Sequence, residues 1–145
     1  MFKKMFTRFS KVVAAGLVLS FMFLVPGAEA SHWGLSGGLQ THDPTIVRES
    51  GNTWWSASTG TGIGMKYSTN GGKTWTDGLP IFSQPLSWWK KYAPNMTTND
   101  VWAPDLEYYR GRYYCYYSVS EFGKNNSAIG LVSCSSISKG DWRDD

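Results

Sequence analysis

The chain has 145 residues, 41% of them hydrophobic and 16% aromatic, with a formal net charge of +3 and a pI near 8.9. That excess charge lies in the first thirty residues, where Lys3, Lys4, Arg8 and Lys11 outweigh Glu29; the other 115 residues carry ten basic and ten acidic groups. The basic pI is therefore no argument for a nucleic-acid partner, and no Lys/Arg cluster beyond Arg110 and Arg112 is left to form a phosphate-binding surface.

Residues 1–30 read as a secretory signal peptide. A basic start precedes the almost wholly apolar run 12–25, Pro26-Gly27 breaks it, and Ala28-Glu29-Ala30 puts small residues where a signal peptidase reads. Cleavage is predicted after Ala30. The apolar run of about fourteen residues is shorter than the ~20 that a membrane span needs, so the expected product is secreted, extracellular, and without stable membrane association after cleavage.

Residues 31–145 are long enough for one small core. Gly34, Gly37 and Gly38 make 31–41 an irregular lead-in. A β-branched run over 45–49, a turn at Ser50-Gly51-Asn52 and a return over 53–59 predict two strands. After the break Gly60-Thr61-Gly62, residues 63–68 alternate as a third strand, with Ile63, Met65 and Tyr67 on one face. Asn70-Gly71-Gly72 is a hairpin signal, leading to a short fourth strand over 74–76. The long connection 77–99 contains three prolines and the aromatic cluster Trp88-Trp89-Lys90-Lys91-Tyr92. A connection of that length is expected to be functional.

The pattern then repeats: strands over 104–109, 112–118 and 128–134, a tight turn at Arg110-Gly111, a polar loop over 121–127 and a closing Gly140-Asp141-Trp142. Gly51 matches Gly111, Gly62-Ile63-Gly64-Met65 matches Ala128-Ile129-Gly130-Leu131, and Trp75 matches Trp142, at offsets of sixty residues or a little more. The fold class is all-β. Four short strands closing on a Trp, recurring at that spacing, are the pattern of propeller blades, while an ordinary β-sandwich stays open on pattern alone. Only about two blades are present where a propeller needs roughly four or more, so 31–145 are expected to be the N-terminal part of a larger domain.

Asp43 and Asp105 each sit beside a proline at the expected start of a strand. Paired carboxylates on a common cleft can cleave a glycosidic bond, one protonating the leaving oxygen and the other activating water; each could equally cap a turn that proline stiffens. His42 is a candidate substrate-binding residue, placed to hydrogen-bond Asp43 or to pack, and with His32 as its sole companion it makes no metal cluster. Glu107 shares the strand face of Asp105, and Glu121 is expected to be solvated. Trp88, Trp89 and Trp102 are candidate platforms for sugar rings. Cys115 and Cys134 permit one bridge but are expected reduced and packed. Neither a phosphate-binding Gly loop, a nucleophile elbow nor CxxC zinc spacing occurs, and Gly60-Thr61-Gly62-Ile63-Gly64 lacks the following helix of an anion site. Ser68-Thr69-Asn70-Gly71-Gly72-Lys73-Thr74-Trp75 looks like the Asp-box hairpin of many propellers, with Asn70 in the usual Asp position; that motif fixes a turn and no reaction.

Ser31-His32-Trp33, His42-Asp43-Pro44, Leu86-Ser87-Trp88-Trp89, Trp102-Ala103-Pro104-Asp105, Tyr116-Tyr117-Ser118-Val119-Ser120 and Asn126-Ser127-Ala128-Ile129-Gly130-Leu131 together resemble the N-terminal part of secreted endo-α-1,5-L-arabinanases of glycoside hydrolase family 43. The resemblance implies a five-bladed β-propeller that cleaves plant cell-wall arabinan or arabino-oligosaccharides with inversion. It implies that Asp43 is the general base and that Asp105 tunes and orients the acid. It also implies that the acid is a Glu in a later blade, that these residues hold no metal or cofactor of their own, and that calcium belongs to the complete family domain. These residues alone are then expected to be inactive. The alternatives are a non-catalytic carbohydrate-binding fragment, or an exo-acting arabinofuranosidase or xylosidase of the same family.

Overall fold

The computed structural model of the chain describes residues 34–145; the predicted signal peptide and Ser31-His32-Trp33 lie outside the described residues. In chain order the elements are β1 (Ser36–Gly37), β2 (Thr45–Ser50), β3 (Thr53–Ser58), β4 (Gly60–Thr61), β5 (Gly64–Ser68), β6 (Thr74–Asp77), α1 (Trp89–Tyr92), β7 (Asp100–Tyr109), β8 (Arg112–Ser120), β9 (Ser127–Cys134) and β10 (Arg143–Asp144). They form two five-stranded sheets, ordered β1-β6-β5-β3-β2 and β10-β9-β8-β7-β4.

Each sheet is built on a four-stranded antiparallel meander, β2-β3-β5-β6 or β7-β8-β9-β10, so the repeat read from the sequence is a repeat of structure. The meanders meet at β2 and β7, where the Leu106 N–H donates to Thr45 Oγ1 at 3.2 Å. Two meanders joined in this way are blades. Strand β4 pairs with β7, Gly60 opposite Val101 and Thr61 opposite Asp100, so the predicted break donates a strand to the second sheet. The lead-in is likewise not wholly irregular, because Ser36–Gly37 runs parallel to β6 at the outer edge.

Local chemistry explains the turns. Arg110 and Gly111 both have positive φ, 47° and 85°, the requirement of a type I′ hairpin matched to strand twist. In the first blade, Asn70 Oδ1 accepts the Thr74 N–H and Ser68 Oγ accepts the Gly72 N–H, both at 2.9 Å. In the second blade, Asp141 does the equivalent work by accepting from Ser135 and Ser136. Gly62 has φ 66°, and a Cβ there would lie 1.9 Å from the Phe82 carbonyl oxygen. No other residue fits.

The core lies between the blades. Period-two alternation turns Tyr113, Cys115, Tyr117 and Val119 of β8 inward, against Ala57 and Met65 of the first blade. The long connection supplies Phe82, Trp89 and Ala93 to that core. Phe82 packs edge-on to Trp89 and Tyr117 with centroids 5.0 Å apart, so most of its aromatic content is structural. Cys115 and Cys134 are free and buried, and burial pushes both thiols up to about 12, leaving them protonated and unreactive near neutral pH.

Glu49 joins the blades at the end where the β2–β3 and β7–β8 hairpins lie. Its carboxylate accepts from Trp55 Nε1 and Ser136 Oγ, both at 2.7 Å, from Ser138 N at 3.0 Å, and from the Ser138 hydroxyl. Burial alone would raise this carboxyl, but the hydrogen bonds from Ser138, Ser136 and Trp55 hold it below its usual value.

Candidate active site

Asp43 immediately precedes Pro44 yet has φ 48°, and Ala103 immediately precedes Pro104 with φ 43°. Proline normally forces the preceding residue into extended backbone, and a non-glycine residue held at positive φ costs about 1–3 kcal/mol. The same strained step thus occurs once in each blade, just ahead of β2 in the first and within β7 in the second.

One hydroxyl connects the two steps. Thr59, directly after β3, accepts the Ala103 N–H at 2.7 Å, so its own proton is free to reach Asp43 Oδ2 at 2.9 Å. His42 Nδ1 lies 2.9 Å from that same Oδ2. This is a close contact between side chains adjacent in sequence, with the His42 ring largely exposed, and the directed hydrogen bond on Oδ2 is the one from Thr59. Thr59 donates to Oδ2, and among the described residues no hydrogen-bond donor reaches Oδ1. Half of the Asp43 side chain is solvent-accessible, at 48%, and His42 and Thr59 line a hollow of about 550 Å³.

Asp105 is placed differently from the expectation. It does not open its strand: β7 begins at Asp100, and Ala103 forms a bulge that shifts the register between Trp102 and Asp105. The two strained steps align Asp43 with Ala103, and Thr45 with Asp105, so the two aspartates are not counterparts in the repeat. Thr45 Oγ1 donates to Asp105 Oδ1 at 3.4 Å while accepting from Leu106 N. Asp105 therefore braces β7 against β2. Glu107 is exposed further along β7 toward the hairpin, opposite Tyr114.

The three tryptophans part company. Trp102 is half-buried and lines a cleft of about 590 Å³ with Phe122, the two rings edge-on at 6.3 Å. Trp89 is wholly buried and donates to Tyr117 Oη at 3.3 Å, which corrects its reading as a sugar platform: a ring with no exposed face cannot stack on a ligand. Trp88 is drawn to the outer edge of the second sheet, its Nε1 donating to Asp144 Oδ2 at 3.2 Å in β10. Its ring nevertheless lies 6.4 Å from that of Trp89 and 6.3 Å from that of Tyr117 in β8, the strand beside β7, and stays partly exposed.

Glu121 is another correction. The polar loop does not leave it solvated; it is 7% exposed and accepts from Asn95 N at 2.7 Å, Asn95 Nδ2 at 3.3 Å and Asn126 Nδ2 at 3.3 Å. The Asn95 backbone N–H above all holds its carboxyl below the usual value. Thr59, Thr45, Phe122 and the role of Glu121 were not singled out by sequence reasoning. The sixty-residue offset offered one signal, since it aligns Thr45 with Asp105.

Calcium takes six to eight oxygen ligands. Among the described residues no three His, Cys, Asp or Glu side chains come together to hold a metal ion, and no step is assigned to calcium. Among these residues, too, no helix is long and apolar enough to cross a membrane.

Residues 38–145 match the glycosyl hydrolases family 43. The chain is 47% identical over 151 aligned residues to an extracellular endo-α-(1→5)-L-arabinanase of Bacillus subtilis, covering 99% of this chain and 45% of that protein. It is 42% identical over 94 residues to an extracellular exo-α-(1→5)-L-arabinofuranosidase of Cellvibrio japonicus, covering 65% and 26%. Among solved structures, a family 43 endo-arabinanase from Bacillus licheniformis superposes with a TM-score of 0.71 at 51% identity, over 77% of this chain and 38% of that one. A Cellvibrio cellulosa α-L-arabinanase in complex with arabinohexaose gives 0.68 at 35% identity, over 74% and 34%. The chain thus spans less than half the length of these relatives, and its two sheets are part of their five-bladed β-propeller.

Proposed function

Because the chain belongs to glycosyl hydrolase family 43, we propose that residues 34–145 form the base-bearing side of a cleft that cleaves internal α-1,5-L-arabinofuranosidic bonds of secreted-enzyme substrates such as plant arabinan, with inversion. The observation that carries this reading is the pinned carboxylate of Asp43, one hydrogen-bonded residue away from Trp102-Ala103. Thr59 Oγ1 donates to Oδ2 and His42 Nδ1 lies against the same oxygen, so Oδ1 is the oxygen that takes a proton from water. The hydroxide oxygen attacks the anomeric carbon as the bond to the leaving O5 breaks, and the leaving oxygen receives its proton from an acid on the opposite side. Trp102 and Phe122 form the apolar walls that orient the sugar chain.

That acid lies outside residues 34–145 in this reading. Glu49 and Glu121 are committed to other partners, and Glu107 lies toward the far hairpin. The tuning role inferred for Asp105 needs that acid beside it; within this part of the chain Asp105 acts as a brace. Export follows from the signal sequence and accords with relatives called extracellular. The Cellvibrio relative named as exo-acting supports the second reading, in which the same carboxylates act from a chain end.

Titration of intrinsic Trp fluorescence with arabinohexaose tests the cleft. A saturable change is expected, weakened roughly tenfold or more by W102A or F122A, with xylohexaose binding poorly. No saturable change with arabinohexaose, or equal binding of xylohexaose, would remove the arabinan reading.

A further inference from the structure

We propose that Glu121 is a positioning residue that clamps two loops together and so sets the spacing between the Trp102 and Phe122 walls of the cleft. The proposal rests on the reading of that cleft as a sugar site.

The Glu121 carboxylate is buried, and its donors come from two separate segments. Asn95 gives its backbone N–H and its side-chain amide from the segment that leads into β7 and on to Trp102. Asn126 gives its amide from the return of the β8–β9 loop. The loop is tightened at the same residue, since the Glu121 N–H donates to the Asn126 carbonyl and its own carbonyl accepts from Lys124 N, both at 3.1 Å. Phe122 follows directly and is 92% exposed, with Trp102 as its aromatic neighbour. Nothing in its own packing fixes the ring. Its place is set by the backbone that Glu121 anchors.

The chemistry also explains why a carboxylate stands there. A buried carboxylate accepts at two oxygens and needs donors to offset its desolvation. A glutamine would present one acceptor and turn an NH2 group toward the donors of Asn95 and Asn126. The other charged groups lining the cleft are Lys124, on the same loop, and Asp100 at the start of β7; neither carboxylate nor ammonium there replaces the three-way acceptor.

Hydrogen exchange of the full chain, followed by mass spectrometry over segments 93–100 and 121–127, reads the clamp without any ligand; arabinohexaose affinity reads its effect on the cleft. E121Q is expected to speed exchange in both segments and to weaken arabinohexaose roughly tenfold, the range for hydrogen bonds to a charged group. E121Q combined with N126D is expected to restore both readouts in part, because the amide then accepts from Asn95 N and donates to the carboxylate at 126, while the Asn95 Nδ2 bond stays lost. A generally destabilised fold would show no such rescue. N126A, which deletes one donor, is expected to act in the same direction more weakly, and it decides the matter if E121Q does not fold. Exchange and affinity both staying within about twofold of wild type in E121Q would overturn the clamp. If wild type fails to bind arabinohexaose while E121Q still speeds exchange, the sugar reading of the cleft is refuted and the clamp stands.

Discussion

Replacing Thr59 by Val keeps the shape of the side chain and removes only its hydroxyl. Two hydrogen bonds go with it: the 2.7 Å bond from Ala103 N and the 2.9 Å bond to Asp43 Oδ2. A neutral bond contributes about 1 kcal/mol and one to a charged acceptor about 1.5–3 kcal/mol. The Asp43 side chain is half exposed and keeps His42, so water replaces part of that second bond and the low end applies. The expected loss is about 2 kcal/mol, or a fall in Tm of roughly 8 °C for a domain of this size. Thermal unfolding followed by near-UV circular dichroism measures it. T59S keeps the hydroxyl and is expected to recover most of the loss, while T76V, at an exposed position in β6, is expected to be neutral. If T59V melts within about 1 °C of wild type, Thr59 does not hold the two strained steps together and Asp43 is not pinned as described.

Other substitutions probe separate parts of the structure. The folded-state pKa of Glu49 is depressed, so its stabilising contribution is present above the unfolded-state value and is lost as pH falls through the folded one. The unfolding free energy from urea titration at pH 7 should be about 2 kcal/mol lower in E49Q, and the gap to wild type should close toward pH 3; a gap that widens in acid would reverse the sign of the argument. Gly130→Ala would bring a Cβ to 2.3 Å from Tyr117 Cζ, a ring that is 1% exposed and bonded to Trp89. A loss of about 1–3 kcal/mol is expected in chemical denaturation, and an unchanged midpoint would show that the ring can yield. Trp89→Ala should cost about 3–5 kcal/mol as a core truncation, whereas Trp102→Ala should leave the melting curve nearly unchanged and weaken sugar binding.

Most strands were legible because their signals are local. Alternation, Asn-Gly and Arg-Gly turns and the sixty-residue repeat each act within a few residues, and hairpin pairing carries them into a sheet. The mouth of β7 was misplaced for a local reason as well. Pro104 ordinarily marks a strand start, but Ala103 at positive φ lets the chain bulge and the pairing continue back to Asp100. Trp89 was misread because an aromatic pair in a sequence looks the same whether it faces solvent or fills a core. Asp43 with His42 was legible, since neighbours in sequence can touch without tertiary information. Thr59, forty-four residues from its partner Ala103, and Glu121, twenty-six from Asn95, acquire their roles only when the blades pack together.

The most direct test of Asp43 as the base uses a substrate whose departure needs no acid. A 2,4-dinitrophenyl α-L-arabinofuranoside extended by a 1,5-linked arabinose leaves as a stable phenolate, so an acid outside these residues is bypassed and activation of water alone is measured. The account predicts slow dinitrophenolate release by the chain that is abolished in D43N, with no oligosaccharide released from linear arabinan. Equal release by wild type and D43N would contradict it.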